Sequence, residues 1–170
     1  LNVSSTHVSA SVDISASIYH GTSLAIGTET VLGGTLPTVA GGTRNEATAN
    51  YAVVVGGYDN TATDTYAFVG GGLQNNALES YSVVVGGNSN IVGSNGGRSF
   101  VGGGESNNAA SDLGAIAGGY HNLIGHESFK VASRSFIGGG NSNTASAQDC
   151  VVVGGIQNSV LWGGHGAFIG

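Results

Sequence analysis

The sequence predicts an all-β protein, a parallel β-roll or β-solenoid wound from fifteen-residue coils. Three observations carry this reading. Gly-Gly-x-x-Asn recurs along the chain, with its asparagines at Asn45, Asn60, Asn75, Asn90, Asn107, Asn122, Asn143 and Asn158, at intervals of 15, 15, 15, 17, 15, 21 and 15 residues. Short apolar runs precede the pattern, as in Val53-Val54-Val55, Phe68-Val69, Val83-Val84-Val85 and Val151-Val152-Val153. No segment offers a helix to cover them. A fixed period in this range is the mark of a solenoid, in which each coil contacts only its neighbours.

Residues 1–22 stand apart as a β-strand shaft or capping segment. Val8, Ala10, Val12, Ile14, Ala16 and Ile18 alternate with Ser9, Ser11, Asp13, Ser15 and Ser17, the period-two pattern of one long half-buried strand. Alone, such a strand is an aggregation hazard, so it is expected to pair with partner chains or to cap the first coil. Residues 23–170 form the repeat module. Pro37 lies just before Thr38-Val39-Ala40-Gly41-Gly42, among a strand's first residues, where a missing N–H is tolerated. Residues 51–90 hold three regular copies. Tyr51, Tyr66 and Tyr81 recur at one position and are expected to stack in a column. Arg98 and Arg134 at the matching position of later coils place that column at solvent.

Within a strand, neighbouring side chains point to opposite faces. The valine runs are apolar on both, so both faces need burial. Fifteen residues leave room for two strands of about five residues and two tight turns. Such a coil has a thin interior, which suits the small residues Ala52, Ala67, Ser82, Ser99, Ser135 and Cys150 at the strand starts. The other face lacks cover within the chain, which predicts an oligomer with its valine faces turned to a shared axis. Gly-Gly permits positive φ and close approach of coils. Asparagine tolerates left-handed backbone and, stacked at the strand spacing, can form a side-chain hydrogen-bond ladder.

Ser23-Leu24-Ala25-Ile26-Gly27, Ser82-Val83-Val84-Val85-Gly86 and Ser99-Phe100-Val101-Gly102-Gly103 resemble the Ser-Val-Ala-Ile-Gly phrase of YadA-like trimeric autotransporter adhesin heads. The resemblance covers residues 23–170. It implies a left-handed parallel β-roll, a homotrimer around one axis, and a surface role in attachment. The chain departs from the family in a coil one residue longer and in a more regular second Gly and Asn. It also lacks stalk heptads. Similar repeats look like segments of viral and phage tail fibres.

Three places break the spacing. Gly93-Ser94-Asn95-Gly96-Gly97 carries a two-residue excess, the stretch His126 to Ser133 carries a six-residue excess, and Leu161-Trp162-Gly163-Gly164-His165-Gly166 precedes a last phrase, Ala167-Phe168-Ile169-Gly170, that opens a further coil. Solenoid insertions emerge on one face and often make contacts. His126, Glu127, Phe129 and Lys130, with Trp162, are therefore the candidate receptor-contact residues. That last phrase and the absence of Met lead us to expect a piece of a longer chain.

Composition bounds the function. Charged residues are 8% of the chain and hydrophobic ones 40%, which favours ordered packing over charged disorder. The 32 glycines with one proline do not follow collagen's triplet. A net charge of −6 argues against nucleic acid and anionic membrane surfaces as partners. No apolar run approaches the ~20 residues of a membrane-spanning helix. Cys150 is expected to be a packed thiol. No phosphate loop, nucleophile elbow or paired carboxylate stands out, and His121 and His126 lack partners at zinc-ligand spacing. No catalytic residue, metal or cofactor is expected. The function expected is a structural and adhesive segment of a trimeric fibre, viral or phage in type and extracellular. Its partners would be its own copies, neighbouring fibre segments and a cell-surface glycan or protein receptor. The alternatives are the head of a bacterial surface adhesin and a non-catalytic glycan-binding β-solenoid. Ice binding is disfavoured because Thr61, Thr63 and Thr65 are not reproduced in the next coil.

Overall fold

The computed structural model describes residues 24–93, 97–125, 132–161 and 163–170. The long strand expected within residues 1–22 lies outside these. The described residues are all-β, with nineteen two-residue strands and no helix. Each coil gives one strand to a ten-stranded front sheet, running from Leu24–Ala25 to Phe168–Ile169, and one to a nine-stranded rear sheet, from Val31–Leu32 to Ser159–Val160. Every pairing is parallel and joins equivalent residues of successive coils, as in Val53 with Phe68 and Thr61 with Asn76. The result is a β-solenoid of about nine turns. At ~4.8 Å per coil it is a rod about 40 Å long.

A third column of single-residue parallel bridges runs from Thr28 through Tyr58 and Tyr120 to Ile156. The two five-residue strands expected per coil are thus replaced by three short β contacts. The cause is positive-φ residues that interrupt each coil: Gly57 (φ 88°), Asp59 (φ 58°) and Tyr66 (φ 59°) in the coil of Val53, with the equivalents of these joined by Gly71 (φ 146°) in the coil of Phe68. In the coil of Val53 the second glycine of the pair is the one needed for this, whereas in the phenylalanine coils the first, Gly71, Gly103 or Gly139, also has positive φ (146–150°). A Cβ on Gly57 would meet the Gly72 carbonyl oxygen and lie 2.7 Å from its nitrogen, whereas one on Gly56 would touch nothing closer than 3.9 Å. The asparagine itself is not left-handed, contrary to expectation. The residue before it is, as at Asp59, Gln74, Ser89 and His121.

These flips set the direction of the hydrogen bonds. Strand amides donate to the next coil, as from Val53 to Ala67 (2.9 Å) and from Thr61 to Asn75 (2.8 Å). Left-handed residues donate to the previous coil, as from Asp59 to Thr43 and from Tyr66 to Asn50 (both 3.0 Å). Non-glycine residues there cost about 1–2 kcal/mol each in local strain, which the inter-coil bonds offset. Pro37 fits the same scheme. It occupies the place of Ala52, whose N–H closes only a turn to Ala49 (3.2 Å) rather than a ladder bond.

The interior is thin. Val54, Val69 and Val84 of the front sheet pack with Ala47, Ala62 and Ala77 of the rear sheet, and Ala52, Ala67 and Ser82 fill the edge; all are fully or almost fully buried. Volume is traded within a coil. Where the edge residue is Gly114, the front and rear positions become Ile116 and Ile124, and a Cβ on Gly114 would lie 3.1 Å from the Ile124 Cγ2. Cys150 is buried at the same edge position, its Sγ 3.2 Å from the Gly164 carbonyl oxygen.

Candidate functional site

Asn45, Asn60, Asn75, Asn90, Asn107, Asn122 and Asn143 are buried and Asn158 is half-buried, all in one column. Their role follows from the flip before them. Each asparagine N–H points to the coil below, where the neighbouring asparagine's carbonyl is turned away: the Asn45 carbonyl already accepts from Val31 and that of Asn60 from Glu46. The side chain supplies the missing acceptor. Asn60 N–H donates to Asn45 Oδ1 at 3.0 Å, and Asn75 N–H to Asn60 Oδ1 at 2.9 Å. Each Nδ2 donates within its own coil and to the coil above, as from Asn60 to Gly56 O and Gly72 O, both 2.9 Å. The same bonds recur to Asn143, and Asn158 keeps the bond to Asn143 Oδ1 and the one to Gly154 O in its own coil. This column holds coils together, and from Asn45 to Asn143 it presents nothing to solvent.

The surface that remains available is the outer face of the front sheet. Its outward positions flank each buried valine, as Val53 and Val55 flank Val54. Over ten strands they include no charged residue and one polar residue, Thr38. Val85 is 48% and Phe136 41% exposed in the single chain. The rear sheet is different: Glu46, Thr61, Asn76 and Asn108 stand among its apolar outward residues. Apolar residues of this size are exposed together only at a cost of roughly 25 cal/mol per Å², and a contiguous strip of them marks a contact site.

Two other columns are polar or aromatic. Tyr51, Tyr66 and Tyr81 stack with centroids 4.9 and 5.0 Å apart, as their fifteen-residue recurrence predicts. Face-to-face stacking covers the faces that a sugar ring would need, so this column serves coil packing. Farther along it, Arg134 donates two hydrogen bonds to the Asp149 carboxylate, at 2.7 and 2.9 Å. Those bonds hold the Asp149 carboxyl below the ordinary aspartate value. At the opposite corner Arg44 lies between Glu29 and Asp59 (3.8 and 3.9 Å) and donates to the Tyr58 hydroxyl at 3.1 Å.

His126, Glu127, Phe129, Lys130 and Trp162 lie outside the described residues. Among the described residues no three His, Cys, Asp or Glu side chains gather to hold a metal ion, and no helix is long and apolar enough to cross a membrane. The fold and its bare face define a parallel β-solenoid with one unpartnered apolar side. No family model matches the chain, and no curated protein does.

Proposed function

We propose that the chain is a structural and adhesive segment of an extracellular fibre, wound left-handed and assembled as a homotrimer with the three front sheets turned to one axis. The observation that carries this reading is the charge-free apolar outer face, continuous over ten strands of a rod. Three copies facing one axis would withdraw it from water, and the polar rear faces and corner ladders would remain outside. The repeating backbone extends the rod, and the segments with excess residues, 93–97 and 126–133, are the candidates for attachment. A viral or phage tail fibre is the preferred setting, with a bacterial adhesin head as the alternative. A solitary glycan-binding solenoid is the competing reading, and the closed stacking of Tyr51, Tyr66 and Tyr81 weighs against their use as its platform.

Light scattering coupled to size exclusion tests assembly. A single species of three chains that resists heated detergent on gels is expected, and a monodisperse monomer would refute the fibre reading. Deleting residues 126–131, the six-residue excess, keeps the buried Ala132 and the Ser133 carbonyl that accepts from Asp149 N–H, and should leave that species intact while abolishing retention on a glycan array or on receptor-bearing cells.

A further inference from the structure

The outer face of the front sheet carries a second period, twice that of the coil. From Val53 onward the outward pairs read Val53/Val55, Phe68/Gly70, Val83/Val85, Phe100/Gly102, Ala115/Ala117, Phe136/Gly138, Val151/Val153 and Phe168/Gly170. Phe-x-Gly alternates without exception with a pair of aliphatic residues. Phenylalanine and glycine are coupled sterically. A Cβ on Gly70, Gly102 or Gly138 would lie 3.4, 3.2 or 3.5 Å from Cε1 of the phenylalanine in its own strand, and would also meet the carbonyl oxygen of the next coil. The ring therefore lies along its strand over the bare glycine.

The alternation conserves apolar bulk. Phe plus Gly brings seven side-chain carbons to a rung and Val plus Val brings six, while Ala115/Ala117 brings two and leaves a single notch. A surface facing water has no need of constant volume from rung to rung. A surface packed at interior density does.

We propose that this face sets the axial register between copies of the chain, with Phe-x-Gly rungs level with Phe-x-Gly rungs and aliphatic rungs level with aliphatic rungs. The proposal rests on the self-assembly reading above and adds the register to it. A face of identical rungs would accept a copy slipped by ~4.8 Å almost as well as a level one, losing contact only at the ends. Slipped copies do not close into a ring and instead propagate. Alternation makes the smallest matching slip two rungs, and the Ala115/Ala117 notch spoils that match as well.

The occupant is argued from pitch and area. Matching every rung requires a partner with the same rung spacing and the same two-rung alternation, which a second copy has by construction. The strip is about 40 Å long and about 12 Å wide, on the order of 500 Å² in projection. In the adjoining bridge column the exposed Leu73, Tyr120 and Ile156 stand at its border among Asn88, Glu105 and Asn141, so each copy would bury an apolar strip smaller than the ~800 Å² of a standard interface, with a polar rim beside it.

The test makes the face uniform with Val53→Phe, Val55→Gly, Val83→Phe and Val85→Gly, so that four successive rungs read Phe-x-Gly. Native mass spectrometry and sedimentation then compare it with the natural chain. The natural chain is expected as one closed species. The variant should give open, off-register species in a share raised by about tenfold, the ratio that one mismatched rung sustains. A natural chain that stays monomeric removes the self-assembly reading and this inference together. A variant that folds and forms the same single species overturns the register inference and leaves self-assembly standing. If the variant does not fold, Ala115→Val with Ala117→Val, which fills the notch at outward positions, takes its place: a raised share of species slipped by two rungs supports the proposal, and the same single species as the natural chain overturns it.

Discussion

Replacing Asn75 by alanine tests the ladder at its most regular point. Asn75 Oδ1 accepts the Asn90 N–H at 3.0 Å, and its Nδ2 donates to Gly71 O and Gly87 O, both at 2.9 Å. Alanine leaves the buried Asn90 amide without its acceptor and the Gly71 carbonyl without this donor. Gly87 O keeps its bond from Leu73 N–H. Two stranded groups at about 1–3 kcal/mol each give a loss of roughly 2–6 kcal/mol. Asn158 supplies the control, because alanine there removes the 2.8 Å bond to Gly154 O from a half-buried residue. That change should cost about 1 kcal/mol. Chemical denaturation of both variants measures the difference, and native-state hydrogen exchange should show the Asn90 amide losing protection by about 100-fold or more. Equal losses for Asn75→Ala and Asn158→Ala, with Asn90 still protected, would refute the view that side chains replace a missing backbone acceptor.

Two further outcomes follow from local geometry. Gly57→Ala places a Cβ against the Gly72 backbone at a left-handed position and should cost more than about 3 kcal/mol. Gly56→Ala, whose Cβ would make only ordinary contact with the Gly41 backbone at 3.9 Å, should cost under about 1 kcal/mol, and thermal melts compare the two. The Arg134–Asp149 pair gives a pH dependence of known sign. The Asp149 carboxyl is lowered chiefly by the Arg134 hydrogen bonds, so its stabilisation is complete above the ordinary aspartate value of ~3.9 and is lost as pH falls through the lowered folded value. Carbon-detected NMR titration should find Asp149 below the ordinary value, and Arg134→Gln should raise it.

The coil period and the solenoid were legible because Gly-Gly-x-x-Asn names its own register and the valine runs name the strands. The bare outer face was legible too, since Val53 and Val55 are apolar on the side that Val54 does not use. The left-handed positions were not. Tyr51, Tyr66, Tyr81 and Arg98 adopt φ of 58–59°, and nothing in those residue types favours positive φ. Their conformation is imposed by neighbouring coils, through bonds such as Tyr66 N–H to Asn50 O. Strand length went astray for the same reason, because each such residue ends a strand that its apolar neighbours would otherwise continue. The alternation of Phe68/Gly70 with Val83/Val85 was present in the sequence but requires the strand register before it can be read as a surface.

The choice of asparagine over its near relatives follows from the bonds. The column position needs one acceptor aimed at the amide of the coil above and two donors aimed at glycine carbonyls, as Asn60 shows with Asn75, Gly56 and Gly72. Aspartate would supply acceptors only, opposing two carbonyls with a buried charge. Serine has a single donor on a shorter arm. Glutamine has the right groups on a longer arm, with an added rotamer to fix in an interior lined by Ala62 and Ala77. Asparagine alone completes the set in the space that a fifteen-residue coil leaves. A backbone flip one residue earlier, as at Asp59, is what creates that need.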